Sequence, residues 1–278
     1  MLRKFPADGN ESTRWPQVSG STMSAGSSKQ TMNVLITAGG TIAPIDDVRL
    51  ISNRSTGKFG SKLAEAWLAT GACVTYFATT PQTLGPLEIP RVPFCRDNSV
   101  HEVRGRLVER TIRQWNHASH CHRIDLEYGT VSDYAFHLEK IAKSKSWNVL
   151  MLAAAVSDYE PATVSGKIAS DAEEITLRLK RTRKVIQSVR GWVGSDCQLV
   201  GFKLTSGATD AKMIEIAADA CRKNEADFTL VNDQSSLNAG QHRVALVNRA
   251  GESVWFEPGE DLATRVVAFL VEKTRRGQ

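Results

Sequence analysis

Short β-branched apolar runs alternate with segments of helical period along most of this chain, and that alternation restricts it to an α/β sheet. Asn33–Thr37 (NVLIT) has the make-up of a strand buried on both faces, and it opens into Ala38-Gly39-Gly40-Thr41. From Lys58 the period changes. Phe59, Leu63, Ala66 and Trp67 fall on one helical face, and Gly71 stops the helix. Ala72–Ala78 (ACVTYFA) is a second buried strand. The pattern then predicts a helix over Ser132–Lys143, a buried strand over Trp147–Val156 (WNVLMLAAAV) and an alternating, half-buried strand over Glu174–Leu179 (EITLRL). A helix over Arg183–Val193, a strand at Gln198–Phe202, a helix over Thr209–Asn224 and a strand at Asp227–Val231 continue it. Arg243–Asn248 and Ser253–Glu257 form a hairpin, and Asp261–Lys273 closes as an amphipathic helix. This order predicts an α/β fold with a doubly wound, mostly parallel Rossmann-like sheet and a small antiparallel β appendage.

Met1–Thr31 is polar, rich in Ser and Gly, and lacks the apolar core of a secretory signal. It reads as a disordered leader, or as upstream translation before a start at Met32, ahead of one domain over 32–278. Arg96–Asp125 reads as an insertion with no firm assignment, although Val103, Leu107, Ile112 and Trp115 keep approximate helical register. No apolar run approaches the ~18 residues that span a bilayer, so no membrane partner is expected. Cys73, Cys95, Cys121, Cys197 and Cys221 are scattered without a CxxC pair, which fits reduced thiols in a cytoplasmic protein. A formal charge of +5 suits anionic small molecules as well as nucleic acid and does not choose between them. His117, His120, Cys121 and His122 have metal-ligating chemistry, but adjacent ligands rarely close a tetrahedral site; an exposed polar segment and no metal site are expected.

Three places offer chemistry. Gly39-Gly40 ends the first strand as either a phosphate cradle or a plain turn; its spacing does not meet GxGxxG. Asn53-Arg54-Ser55-Thr56-Gly57-Lys58-Phe59-Gly60 puts two hydroxyls and a glycine before a helix, where free amides and the dipole favour an anion. Ser55 or Thr56 is equally suited to be an ordinary N-cap. Ala153-Ala154-Ala155-Val156-Ser157-Asp158-Tyr159 ends a strand in small residues that let a ligand lie against the backbone, with Asp158 either fixing that ligand or capping the next turn.

VLITAGGTIAPIDDVRLISNRSTGKFG, LMLAAAVSDYEP, GFKL and KNEADFTLVND, in that order, resemble the successive signatures of phosphopantothenoylcysteine synthetases. The likeness runs from about Met32 to the C-terminus. KIAS (Lys167–Ser170) and QHR (Gln241–Arg243) are most similar to the monofunctional bacterial type, without a flavin-binding decarboxylase half. The resemblance implies a cytoplasmic phosphopantothenate–cysteine ligase of coenzyme A biosynthesis, using Mg²⁺ with CTP, or ATP as the alternative, and no flavin. It implies that Gly39, Gly40, Ser55, Thr56, Gly57 and Gly60 hold the nucleotide phosphates, with Lys223 and Asn232 also at the nucleotide. Phe202 would pack against its base or ribose. Ala154, Ala155 and Asp158 would lie along the bound ligands, Asp158 serving either the nucleotide or 4'-phosphopantothenate. Asn53 would donate to the acyl-nucleotide, and Lys167 would neutralise charge during activation. Arg49 would reach the phosphopantothenate of a neighbouring subunit, which makes a homodimer with shared sites. Cysteine completes the partners, and no nucleic acid is among them.

Two positions depart from the family's pattern. Asp219 stands where a lysine is usual, and a carboxylate there would repel a triphosphate. Thr182-Arg183-Lys184-Val185 stands where Thr-Pro is usual. These departures suggest a diverged nucleotide-binding paralogue as one alternative. An NAD(P)-type oxidoreductase is another, but Ala78-Thr79-Thr80 lacks the acidic residue that class needs after its second strand.

Overall fold

The computed structural model describes residues 31–86 and 119–276. The expected leader, apart from its last residue, and the helical register Val103–Trp115 lie outside the described residues.

In chain order the elements begin with β1 (Asn33–Ala38), the hairpin of β2 (Ile42–Pro44) and β3 (Leu50–Ser52), α1 (Lys58–Ala69), β4 (Cys73–Ala78) and β5 (Cys121–Asp125). Then come α2 (Val131–Ala142), β6 (Val149–Leu152), the hairpin of β7 (Tyr159–Pro161) and β8 (Leu179–Arg181), α3 (Ile186–Val193) and β9 (Gln198–Thr205). The chain closes with α4 (Asp210–Lys223), β10 (Phe228–Asp233), α5 (Gln234–Asn238), β11 (Val244–Asn248), β12 (Ser253–Phe256) and α6 (Leu262–Arg276).

Val34, Leu35 and Ile36 are fully buried, so β1 has no polar face to show solvent and takes the middle of the sheet. It pairs in parallel with β4 and with β6. The whole order is β12-β11-β10-β9-β6-β1-β4-β5, with β11 and β12 antiparallel. α1 and α6 lie on one face, where Leu63, Trp67, Val266 and Leu270 pack on Val34, Ile36, Val74 and Tyr76. On the other face Tyr134, Leu138 and Val189 of α2 and α3 cover Leu35, Phe77 and Leu199. Met213 and Ala217 of α4 cover Val231 and Ala245. The expected doubly wound, mostly parallel sheet with an antiparallel appendage is the fold.

Three segments differ from expectation for physical reasons. β6 stops at Leu152, because Ala153–Val156 leave the ladder to meet the turn after β1. Among the described residues Glu174–Leu179 finds no partner strand along most of its length, and only Leu179–Arg181 pairs, with β7. Cys121–Asp125, expected within an insertion, is instead an edge strand of the main sheet. Its polar residues hid it, since an edge strand shows much of its surface to water; Arg123 reaches out to the Pro81 and Thr83 carbonyls.

Candidate functional site

Strand order reverses at β1: β4 and β5 continue on one side, and β6, β9 and β10 on the other. Loops leaving β1 and β6 therefore diverge, and an open α/β sheet binds ligands in the crevice this creates at its C-terminal edge. Here the two loops are stitched together. The Ala155 amide donates to the Gly39 carbonyl (2.8 Å), and the Ala155 carbonyl accepts from the Thr41 amide (3.1 Å) and from Asn53 Nδ2 (2.9 Å). A Cβ built at Gly40 would stand 2.6 Å from the Asn53 carbonyl oxygen, so only glycine lets that loop come so near. The Ala154 amide donates to Thr37 Oγ1 (3.2 Å). Gly39, Gly40, Asn53, Ala154 and Ala155 thus converge at one point.

The loop beyond Asn53 leads into α1. Gly57 occupies the N-cap position with φ +77°, a conformation that suits glycine, and no side chain caps the helix. Neither Ser55 nor Thr56 is therefore its N-cap. The first turn of α1 carries no acidic residue, and Gly60 lies in it facing Ala38. Amides at such an end have no intrahelical acceptor and carry the positive end of the dipole toward the crevice.

After β6, Ser157 donates its amide to Thr41 Oγ1 (2.9 Å). Thr182 binds the same loop twice, through its amide to the Asp158 carbonyl (3.0 Å) and its hydroxyl to the Ser157 carbonyl (2.6 Å). The Asp158 carboxylate, about half exposed, forms an ion pair with Lys184. Asp158 does not cap a turn; its partner is one of the residues that departs from the family's pattern.

Lys167 projects from an exposed segment that is bound to the turn between β2 and β3. Arg49 lies in that turn, with Nε 2.9 Å and Nη2 2.6 Å from Asp46 Oδ2, and Nη2 2.7 Å from the Ile168 carbonyl. Asp46 is buried, and this arginine holds its carboxyl well below the usual carboxylate range.

Asn232 is half-buried one residue before the end of β10; Phe202 is half-buried midway along β9, where it packs on the cluster shared with α1 and α6. Beside Asn232, buried Asp233 accepts from Thr205 Oγ1 (2.7 Å) and from the amides of Gly207, Ala208 (each 3.2 Å) and Ser235 (2.9 Å). These bonds, led by Thr205, depress its carboxyl pKa strongly. Lys223 is not brought to the sheet's C-terminal edge. It ends α4, whose 14 residues run about 21 Å back toward the start of β10, and it pairs with Asp219 (2.7 Å). The repulsion expected of Asp219 at a triphosphate is therefore not exerted at the crevice; Lys223 neutralises it locally.

Sequence reasoning assigned no role to Asp46, Asp47, Asp233 or His242. The His242 ring lies edge-on to Phe59, with centroids 4.5 Å apart, and burial together with Lys62 and Lys58 pushes its pKa down. Its QHR setting was the one available signal. Neighbouring Arg243 pins the segment through Asp210 (3.0 Å) and the Trp255 ring (4.0 Å). Among the described residues no three His, Cys, Asp or Glu side chains could hold a metal ion. No helix among them is long and apolar enough to cross a membrane.

A doubly wound sheet whose glycine loop and uncapped helix meet small residues at the strand-order reversal defines an α/β protein with an open crevice at that point. The chain belongs to the family described as the DNA/pantothenate metabolism flavoprotein C-terminal domain, whose model matches residues 29–111 and 135–273. It is 27% identical over 216 residues to the coenzyme A biosynthesis bifunctional protein CoaBC of Thermococcus kodakarensis, covering 78% of this chain and 45% of that protein. It is 30% identical over 229 residues to a cysteine/cysteine sulfinic acid decarboxylase from an unknown prokaryotic organism, covering 81% and 53% respectively. The chain thus spans about half the length of these curated relatives. A Cab2 mutant in complex with phosphopantothenate-cysteine has a similar fold, with a TM-score of 0.74 at 20% identity over 89% of this chain and 88% of that one.

Proposed function

We propose that this chain is a phosphopantothenate–cysteine ligase of coenzyme A biosynthesis, acting in the cytoplasm. The observation that carries the reading is the convergence of Gly40, Asn53 and Ala155 at the strand-order reversal, beside the open end of α1. In the first step the carboxylate of 4'-phosphopantothenate attacks the α-phosphorus of a nucleoside triphosphate, CTP in preference to ATP. The bond to pyrophosphate breaks, leaving an acyl-nucleotide. The amine of cysteine then attacks the acyl carbon, the nucleoside monophosphate leaves, and an amide forms.

A carboxylate attacking a phosphate brings negative charges together, so the site must supply fixed donors and positive charge. In this reading Gly39, Gly40, Ser55, Thr56, Gly57 and Gly60 cradle the phosphates through the loop and the first amides of α1. Asn53 donates to the acyl-nucleotide, Ala154, Ala155 and Asp158 lie along the ligands, and Lys167 neutralises the charge that develops. Phe202 and Asn232 serve the nucleoside end. Magnesium enters on the triphosphate, as part of the substrate. Lys223, at the opposite edge, has no role.

A homodimer with shared sites belongs to the same proposal. Ile175, Leu177 and Leu179 alternate in sequence and are 46%, 38% and 47% exposed, and Tyr159 on β7, which pairs with β8, is exposed too. An exposed, alternating apolar stretch without a strand partner among the described residues is what a second copy would cover. Arg49 keeps Nη1 uncommitted among the described residues and would extend it across that interface.

The test compares the four nucleoside triphosphates for pyrophosphate release with 4'-phosphopantothenate, and then adds cysteine. Release with CTP, and amide product once cysteine is present, is the expected outcome. A chain that binds a triphosphate and releases no pyrophosphate with any of the four is a binding protein and not a ligase.

A further inference from the structure

Residues 162–181 run almost wholly exposed, and between Ala162 and Arg178 they contribute no strand or helix. A lysine in such a stretch ordinarily has no fixed position. Lys167 is an exception, because both of its neighbours are held by both of their backbone groups. The Gly166 amide donates to Asp47 Oδ2 (3.1 Å), and the Gly166 carbonyl accepts from the Asp47 amide (3.1 Å). The Ile168 amide donates to Asp46 Oδ2 (3.1 Å), and the Ile168 carbonyl accepts from Arg49 Nη2 (2.7 Å). The Val164 amide adds a bond to the Ile45 carbonyl (2.9 Å).

The two oxygens of Asp46 divide the work. Oδ1 accepts from the amides of Val48 (2.9 Å) and Arg49 (2.7 Å), which is the local bonding that shapes an Asx turn. That turn needs nothing from Oδ2. Oδ2 instead takes the guanidinium of Arg49 and the amide of Ile168, 122 residues away. The carboxylate is buried, and its second oxygen is committed to gripping the residue that follows Lys167.

We infer that Asp46 is a positioning residue for the activation step, which with Asp47 and Arg49 fixes the backbone that carries Lys167. The inference rests on the role given above to Lys167. Loss of positioning lowers turnover more than binding, because the substrate still finds its phosphate cradle while the charge that should meet the transition state is displaced.

Three variants separate this from a purely structural role. Asp46→Asn keeps an acceptor for the Asx turn but cannot accept from Ile168 and repels Arg49. Asp47→Ala cuts only the side-chain bond to Gly166, at an exposed residue where folding is not at risk. Lys167→Gln removes the positioned group. Amide hydrogen exchange at Gly166 and Ile168 reads the clamp without any substrate, and pyrophosphate release reads its consequence. Asp46→Asn is expected to speed exchange at Ile168 and to lower kcat about tenfold to a hundredfold. The KM for the triphosphate changes far less, and the loss vanishes in a Lys167→Gln background. Asp47→Ala gives the same pattern at Gly166, more weakly, and carries the test should Asp46→Asn not fold. Fast exchange at either position with kcat intact, or a loss that adds fully to that of Lys167→Gln, overturns the inference. If the parent chain releases no pyrophosphate with any triphosphate, the ligase reading fails instead, and the exchange data show the clamp by themselves.

Discussion

A buried carboxylate is tolerated only when donors replace the water it has lost, and Asp46 and Asp233 are both supplied in this way. Arg49 and Thr205 are the leading causes that lower their folded pKa values below the unfolded value of about 3.9. As pH falls, the unfolded chain therefore takes up these protons first. The stability these groups contribute is complete above about pH 5 and drains away as pH drops below about 4. Urea denaturation between pH 3 and pH 7 should show the midpoint falling at the acid end, with Asp233→Asn flattening that slope. Lys184 behaves differently. Its pair with Asp158 is about half exposed, so Lys184→Met should change stability by less than about 1 kcal/mol. The crevice nonetheless loses a positive charge, and calorimetric titration should show weaker triphosphate binding, most clearly at low salt. Gly40 and Gly57 were legible in the sequence because close approach and positive φ demand that residue type. Asp46, Asp47 and His242 were not, because their partners are distant in sequence and a carboxylate or imidazole at such a position carries no local signature.

Among the elements, α1 transmits its sequence most directly. Leu63 and Trp67 are fully buried, and the Trp67 indole donates to Met151 Sδ (3.2 Å). Leu63→Ala should cost about 2–5 kcal/mol in chemical denaturation, since the helix is held between the sheet and α6 and has little room to collapse. The strands of the parallel core were equally plain, because burial on both faces leaves a continuous apolar run. Short pieces were not. The β2–β3 hairpin has three residues in each strand, and its existence depends on the turn at Asp46 more than on strand propensity. Glu174–Leu179 shows the opposite failure: its period is that of a strand, and a partner among the described residues is missing along most of it. On the proposal of a homodimer, Leu177→Asp should leave the circular dichroism unchanged and shift sedimentation from dimer to monomer. A dimer unaffected by that charge would place the interface elsewhere.

At the scale of the whole molecule, the sheet is made of strands from across the sequence, while the crevice is finished by hairpins laid over its edge. The clamp on Lys167 joins positions separated by 119 and 122 residues, with β4, β5, α2 and β6 lying between them. Closing so long a loop is entropically unfavourable until the intervening strands have already brought its ends together. A newly made chain should therefore pass through a stage in which Trp67 and Trp147 are shielded but its chemistry is idle. On dilution from denaturant, fluorescence from Trp67 and Trp147, both buried, should recover before turnover does. That order would make competence follow shape, with the docking of the segment around Lys167, more than the scaffold beneath it, setting the moment at which the molecule starts to work.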